Sequence, residues 1–244
     1  MKLSLLRGLL ILSLLTACSS PRSSSKSVEA TTATVVVAQP KLDSTQVPQS
    51  LMELPQTQYG GFVLKPGFYE AEFKTYCLQP GTPDPHSGDA YVQGPISGYR
   101  KDIVESVLIN SRDQQDLEQR NIQLLLWSIV SGSNFNSLSY SVQADAARLL
   151  TPKQIFQLKG GVVGVLKEAS YTTGLLNSNS AMKQLFETGI NSYEAYERIA
   201  VSHEQSQIVK RGVKYNQWYP QKENYYVRFI PESYKKVKIQ VYVP

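Results

Sequence analysis

One apolar stretch in the middle of the chain limits its fold more than any other. Residues 116–131 carry Leu117, Ile122, Leu124, Leu125, Leu126, Trp127, Ile129 and Val130. Near the end of this stretch the apolar positions run almost all the way round a helix, so other elements must enclose it. Gly132 is its natural stop. Around it the 3.6-residue period recurs. Ile103, Val104, Val107 and Leu108 make a stripe over 102–111. Ser141 is placed to cap a helix to Leu150, and Thr151-Pro152 opens a short one to Leu158. Further helices are predicted over 162–171, from Asn179 or Ser180 to Thr188, and over 192–207 with Ser192 as cap. The period then changes. Val237, Ile239, Val241 and Val243 alternate with Lys236, Lys238, Gln240 and Tyr242, a half-buried strand, with 225–230 as its partner and Pro231-Glu232-Ser233 as the turn. The expected class is mainly α with a small antiparallel β hairpin or sheet at the C-terminus, an α+β fold. It occupies one domain over 60–244, loop-rich over 60–98, helical over 100–207 and a hairpin over 213–244. Some 185 residues enclose a sizeable core.

The first 59 residues have a different texture. Lys2 and Arg7 precede the apolar run 8–15, which is too short for a permanent span of about 20 residues and fits the core of a secretory signal. Leu15-Thr16-Ala17-Cys18 then follows. This resembles the lipobox of bacterial lipoproteins, a likeness confined to the first 20 or so residues. The resemblance implies cleavage after Ala17 (a signal peptide over 1–17), a diacylglyceryl group on the Cys18 thiol and acylation of the new amino terminus. Two or more acyl chains anchor a protein stably without a membrane helix. Ser19 resembles the class sorted to the outer membrane, so the expected location is lipid-anchored to the outer membrane and facing the periplasm. Residues 18–59 read as a flexible tether rich in Ser, Thr and Ala. Roughly 40 such residues reach on the order of 35 Å. Within them Thr34-Val35-Val36-Val37-Ala38 has strand character.

Loss of the signal peptide removes Lys2 and Arg7 and leaves 23 basic against 20 acidic residues. So small an excess does not argue for nucleic acid. With Cys18 lipidated, Cys77 is the single remaining thiol and no disulfide scaffold exists.

Four groups of residues carry candidate chemistry. The loop YCLQPGTPDPHSGDAYV, 76–92, holds Cys77 and His86, and His203 lies far along the chain. A cysteine nucleophile needs a base close by, which makes Cys77 with His86 or His203 weak catalytic candidates. Cell-wall cysteine peptidases set their cysteine in an Asp-Cys-Ser-Gly context at a helix start. Thr75-Tyr76-Cys77-Leu78 departs from it, and their roles are not carried over. Asp84, His86 and Asp89 lack both the spacing of a calcium loop and the paired ligands of structural zinc, so neither a metal nor a cofactor is assigned. Consecutive turns account for the loop, which remains a candidate contact surface. The tail, 210–238, holds eight basic residues against Glu223 and Glu232, interleaved with Trp218, Tyr219, Tyr225 and Arg228. Aromatic faces with cations suit a glycan or a protein interface, and also suit simple packing of the hairpin. Finally, Glu194 and Glu197 stand one helical turn apart and read as solvated charges. The segment GSNFNSLS, 132–139, bears a faint resemblance to the substrate loop of lytic transglycosylases. Residues 128–131 contain no acid to serve as their catalytic glutamate, so that family is not carried over either.

The expectation is therefore a non-enzymatic envelope lipoprotein, an accessory or assembly factor of a secretion or surface-structure machine. Its partners would be the bilayer through Cys18 and another envelope protein or peptidoglycan. A thiol-dependent or cell-wall hydrolase using Cys77, and a glycan-binding protein without hydrolysis, are the alternatives.

Overall fold

A computed structural model describes residues 39–42, 45–85, 91, 94–98, 100–160, 173–190, 192–202 and 216–244. Among them the chain forms six α-helices and a five-stranded mixed sheet, an α+β architecture. The helices are α1 (Lys101–Ser111), α2 (Gln119–Ser131), α3 (Tyr140–Leu149), α4 (Pro152–Leu158), α5 (Thr173–Glu187) and α6 (Tyr193–Ala200). As its composition demands, α2 is central and packs against α1, α3, α5 and α6. Leu125, Leu126 and Trp127 are wholly buried in it. Gly132 ends α2 with φ of 71°, a left-handed cap that costs glycine no Cβ clash. Thr151 and Gln154 form a reciprocal capping box on α4. The cap of α3 is Ser139, whose hydroxyl accepts from the Val142 N–H at 3.4 Å, two residues before the expected Ser141.

The sheet is larger than a C-terminal hairpin. Its strands are β1 (Gln49–Ser50), β2 (Gly67–Lys74), β5 (Tyr219–Pro220), β6 (Tyr226–Ser233) and β7 (Lys236–Val243), in the order β1-β2-β7-β6-β5, and β1 alone runs parallel to its neighbour. The expected hairpin is there as β6–β7. The addition is β2, from the segment read as loop-rich, which pairs with β7 over its whole length from Gly67↔Val243 to Lys74↔Lys236. Its apolar residues Phe68, Tyr69 and Phe73 are too irregularly spaced to alternate cleanly, which hid the strand. The sheet also begins ten residues inside the expected tether, and the 3₁₀ turn Leu51–Glu53 buries Leu51. Leu51, Leu54, Phe62 and Leu64 cover the face formed by Tyr69, Val227, Phe229, Ile239 and Val241. The strand β6 runs on through the expected turn to Ser233, with a register shift at Pro231, a residue that has no N–H to pair. The turn itself is Tyr234-Lys235.

Two remaining strands are a short parallel pair, β3 (Thr82–Pro83) with β4 (Val201–Ser202). They tie the loop after Cys77 to the end of α6, with the Gly81 N–H donating to the Ala200 carbonyl at 2.7 Å. The helix expected over 192–207 thus gives way to a strand at Val201. The Val-rich 34–38 segment, the 162–171 helix, Cys18, His86, Asp89 and His203 lie outside the described residues. No helix among the described residues is long and apolar enough to cross a membrane.

Candidate functional site

The chain leaves β2 at Lys74 and runs across the buried face of α2, where Cys77 meets Gln123. The contact is reciprocal. The Cys77 N–H donates to Gln123 Oε1 at 2.9 Å, and Gln123 Nε2 donates to the Cys77 carbonyl at 2.9 Å. A non-regular segment buried in a core must satisfy its main-chain groups somewhere; here a side-chain amide takes the place of a neighbouring strand. Gln123 is 1% exposed and Cys77 9%. The Cys77 Sγ lies 3.5 Å from the Gln79 carbonyl oxygen and 3.9 Å from Thr82 Oγ1.

Beside this pair sits the tip of the β6–β7 hairpin. Tyr234 inserts into the helical core with its ring 6.2 Å from that of Trp127, while the Tyr193 ring stacks on Trp127 at 5.7 Å. The hydroxyls of Tyr193 and Tyr234 are 2.8 Å apart, and Tyr234 donates to Glu197. Lys235 Nζ reaches Glu197 Oε1 at 2.8 Å. The tip is held from the other side as well. The Tyr234 N–H donates to Asp84 Oδ1 at 2.7 Å, Thr75 Oγ1 donates to the Tyr234 carbonyl at 2.8 Å, and Gln119 Nε2 donates to the carbonyls of Thr75 and Lys235. The Nε1–H of Trp127, wholly buried, meets no acceptor among the described residues.

Electrostatics keeps this knot in one protonation state at neutral pH. Burial, reinforced by the Glu197 charge, pushes the Tyr193 hydroxyl up to about 12 against the opposing bond from Tyr234. Burial and the bonds to Glu197 and Tyr193 raise Tyr234 further. For Glu197 burial opposes ionisation, but the bonds from Lys235 and Tyr234 outweigh it and hold the carboxyl below its usual range. Glu197 is therefore a partner of the hairpin tip and not a solvated helix charge. Glu194, one turn earlier, accepts from the Ser192 hydroxyl at 2.9 Å at the exposed start of α6.

Tyr193 also lines a cleft of about 250 Å³ between α2, α3 and the α5–α6 region. Arg120, Asn121, Ser137, Ser139 and Tyr196 share its wall, with no carboxylate among the described lining residues. Arg120 lies over the Tyr193 ring at 5.7 Å, with its Nε 3.8 Å from Glu118 Oε2. The serines come from the 132–139 segment. The 3₁₀ turn Phe135–Ser137, capped by Asn134, presents them.

The aromatic and basic tail is put to a different use. Trp218 is 3% exposed. Its ring meets Phe68 edge-on at 6.1 Å and carries the Arg228 guanidinium at 4.5 Å. Arg228 Nε donates to Gln240 Oε1 at 2.8 Å, and Gln240 Nε2 donates to Glu70 Oε2 at 2.9 Å, one polar row across three strands. Tyr225 packs on the opposite, covered face, and Tyr219 is half-buried beside the sheet edge. Trp218 and Arg228 are thus brought together but turned to each other. Of the loop residues, Asp84 reaches the hairpin tip. No group of three His, Cys, Asp or Glu side chains gathers among the described residues.

Gln123, Tyr193 and Tyr234 did not stand out as site residues in the sequence. A signal existed for Gln123, the single polar side chain in the run from Ile122 to Trp127. Tyr234 gave none, since its role depends on a hairpin meeting a helix. Set against protein-family models, curated proteins and solved structures, the chain gives no match.

Proposed function

We propose that the chain is a membrane-anchored envelope lipoprotein whose globular domain binds another envelope component without turning it over. The anchor is Cys18, through the lipobox at 15–18 and the leader before it. The binding role rests on the cleft between α2, α3 and α6. Its wall sets the apolar Leu124, Leu138, Val142, Phe186 and Ile190 beside the Arg120 guanidinium, with Asn121, Ser137 and Ser139 already bonded to Asp145, Asn134 and Ser141. Such a wall suits an apolar surface group with a polar or anionic end at Arg120. It supplies no carboxylate pair among the described residues for glycosidic cleavage. Tyr140, 88% exposed beside Ser139 at the start of α3, and Ile190, 41% exposed in the cleft wall, give the rim apolar contact area.

A photo-reactive residue at Tyr140, in cells carrying the full chain, tests the reading. One dominant envelope adduct that is lost with Arg120→Ala supports it. Equal adducts with and without Arg120 would remove the cleft from the proposal. Labelled palmitate entering the wild-type chain but not Cys18→Ser tests the anchor separately.

A further inference from the structure

The two ends of the sheet differ in what holds them. At one end the chain enters the described residues and is fastened as it does so. Gln39 Nε2 donates to Gln217 Oε1 at 3.3 Å, and the Tyr242 hydroxyl donates to the Lys41 carbonyl at 3.3 Å. The Tyr242 ring in turn stacks on Tyr226 at 6.4 Å. The strand register places these contacts at one level, where Gly67 pairs with Val243, Tyr226 with Tyr242 and Pro220 with Tyr226. The hairpin tip, Tyr234-Lys235, is the opposite end. It is sunk among the helices beside the cleft, with which it shares Tyr193. About 20 Å of β7 separates Lys236 from Tyr242.

The entry end is also basic. Lys41, Lys65 two residues before β2, and Lys222 in the turn between β5 and β6 are exposed there. None of the three is in an ion pair among the described residues, and Glu223 is the one acid described at this end. At the tip, by contrast, Lys235 and Lys236 are matched to Glu197, Glu72 and Glu232. Val47 is 79% exposed and leads into β1, which runs parallel to β2 from Gln49 opposite Tyr69, so it too belongs to the entry end.

We propose that this end of the sheet rests on the anionic phospholipid leaflet that holds Cys18, so that the cleft is turned away from the lipid. The proposal rests on the anchor inferred above. With Cys18 acylated, residues 19–38 hold Gln39 within about 70 Å of the leaflet even when fully drawn out. Such a link makes the encounter with the leaflet intramolecular, and weak contacts then suffice. Three unpaired lysines and one exposed aliphatic side chain are contacts of that kind. The lysines meet phosphate headgroups, and Val47 adds apolar area at their level. The partner of the cleft is accordingly met on the side away from the bilayer, as a protein or glycan and not as a lipid.

Fluorescence quenching tests the seat. The full, lipidated chain carries a fluorescent amino acid at Val47 or, in a second preparation, at Tyr140. It is placed in phosphatidylglycerol–phosphatidylethanolamine vesicles with a quencher on the lipid headgroup. Quenching is expected at Val47 and not at Tyr140, and it should weaken as salt is raised. Lys41→Glu, Lys65→Glu and Lys222→Glu together should abolish it, although the chain still floats with the vesicles through Cys18. Equal quenching at the two sites, or quenching at Val47 that survives both high salt and the triple exchange, would overturn the proposal. A wild-type chain that does not float removes the anchor and the seat with it. One that floats with equal quenching removes the seat alone.

Discussion

The helical half and the sheet half bury their apolar side chains to different depths. Leu125, Leu126, Trp127, Ala146 and Leu149 in the first show no exposed surface at all, whereas the best-covered residues of the sheet cluster, Leu51 and Tyr69, retain 3% and 4%. The first is wrapped on several sides by helices. The second is a single sheet whose cover is an irregular segment, 51–64, with little secondary structure of its own. The two halves also use buried glutamines differently. Gln123 braces main-chain groups of Cys77, while Gln240 links two side chains, Glu70 and Arg228. A main-chain partner cannot swing away to water when its mate is lost, whereas a long side chain at a sheet surface does so at little cost. The helical half is therefore expected to be the more rigid, and the sheet to open first.

Cutting into that frame has the largest expected effect. Trp127→Ala should cost about 3–5 kcal/mol in denaturant unfolding, through the lost ring contacts and the cavity left behind. A loss equal to that of Leu51→Ala, for which about 2–3 kcal/mol is expected, would erase the difference in depth. Next comes the pair of glutamines. Gln123→Ala orphans a buried N–H and a buried carbonyl at Cys77, for about 2–4 kcal/mol, and Gln240→Ala should cost about 1 kcal/mol. The opposite ranking would show that the cross-strand row, and not the Cys77 brace, carries the fold. Hydrogen exchange sharpens the same contrast. Amides of α2 should exchange only through global unfolding, while those of β1 and the 51–64 cover exchange through a smaller opening.

The pH response is the smallest effect and probes the junction between the halves. Tyr193 titrates at about 12 in the folded chain and near 10 when unfolded. Its folded value is raised, so its contribution is complete below about 10 and is lost as pH climbs towards the folded value. Glu197 is lowered when folded. Its contribution is present above about 4.3 and is lost as pH falls through the folded value. Denaturant midpoints should fall on each limb in wild type. Tyr234→Phe should flatten the acid limb, because its hydroxyl helps hold Glu197 down, and should leave Tyr193 raised on the alkaline limb, because the Tyr234 bond opposes that shift. A Tyr234→Phe chain with an unchanged pH profile would show that the knot does not couple hairpin to helices.

Much of the helical half was legible because its signals are local. The apolar period of α2, the Thr151-Pro152 start and the alternation of β7 each lie within a few residues, and each element formed where its pattern stands. The strand β2 was not legible. Its pairing with β7 spans the whole domain, and Pro66-Gly67 at its start reads as a turn. The tail left two readings open for a related reason. Trp218 and Arg228 are ten residues apart and suit either an interface or packing of the hairpin, and β5–β6 pairing folds the cation onto the ring.

By itself the sequence determined where α1 to α4 lie and that α2 must be central, while α5 begins at Thr173, ahead of the expected 179–180, and α6 stops at Ala200, short of 207; it also carries a Leu-Thr-Ala-Cys at 15–18 that resembles a lipobox. These follow from propensity, period and spacing, which act over one or two turns of chain. Only the tertiary structure decided that Gln123 would face Cys77 across 46 residues and that Tyr234 would bond to Tyr193 and Glu197. Such contacts join groups whose polarity must be satisfied once buried, and a linear pattern records which groups need partners without recording which partners the fold will bring.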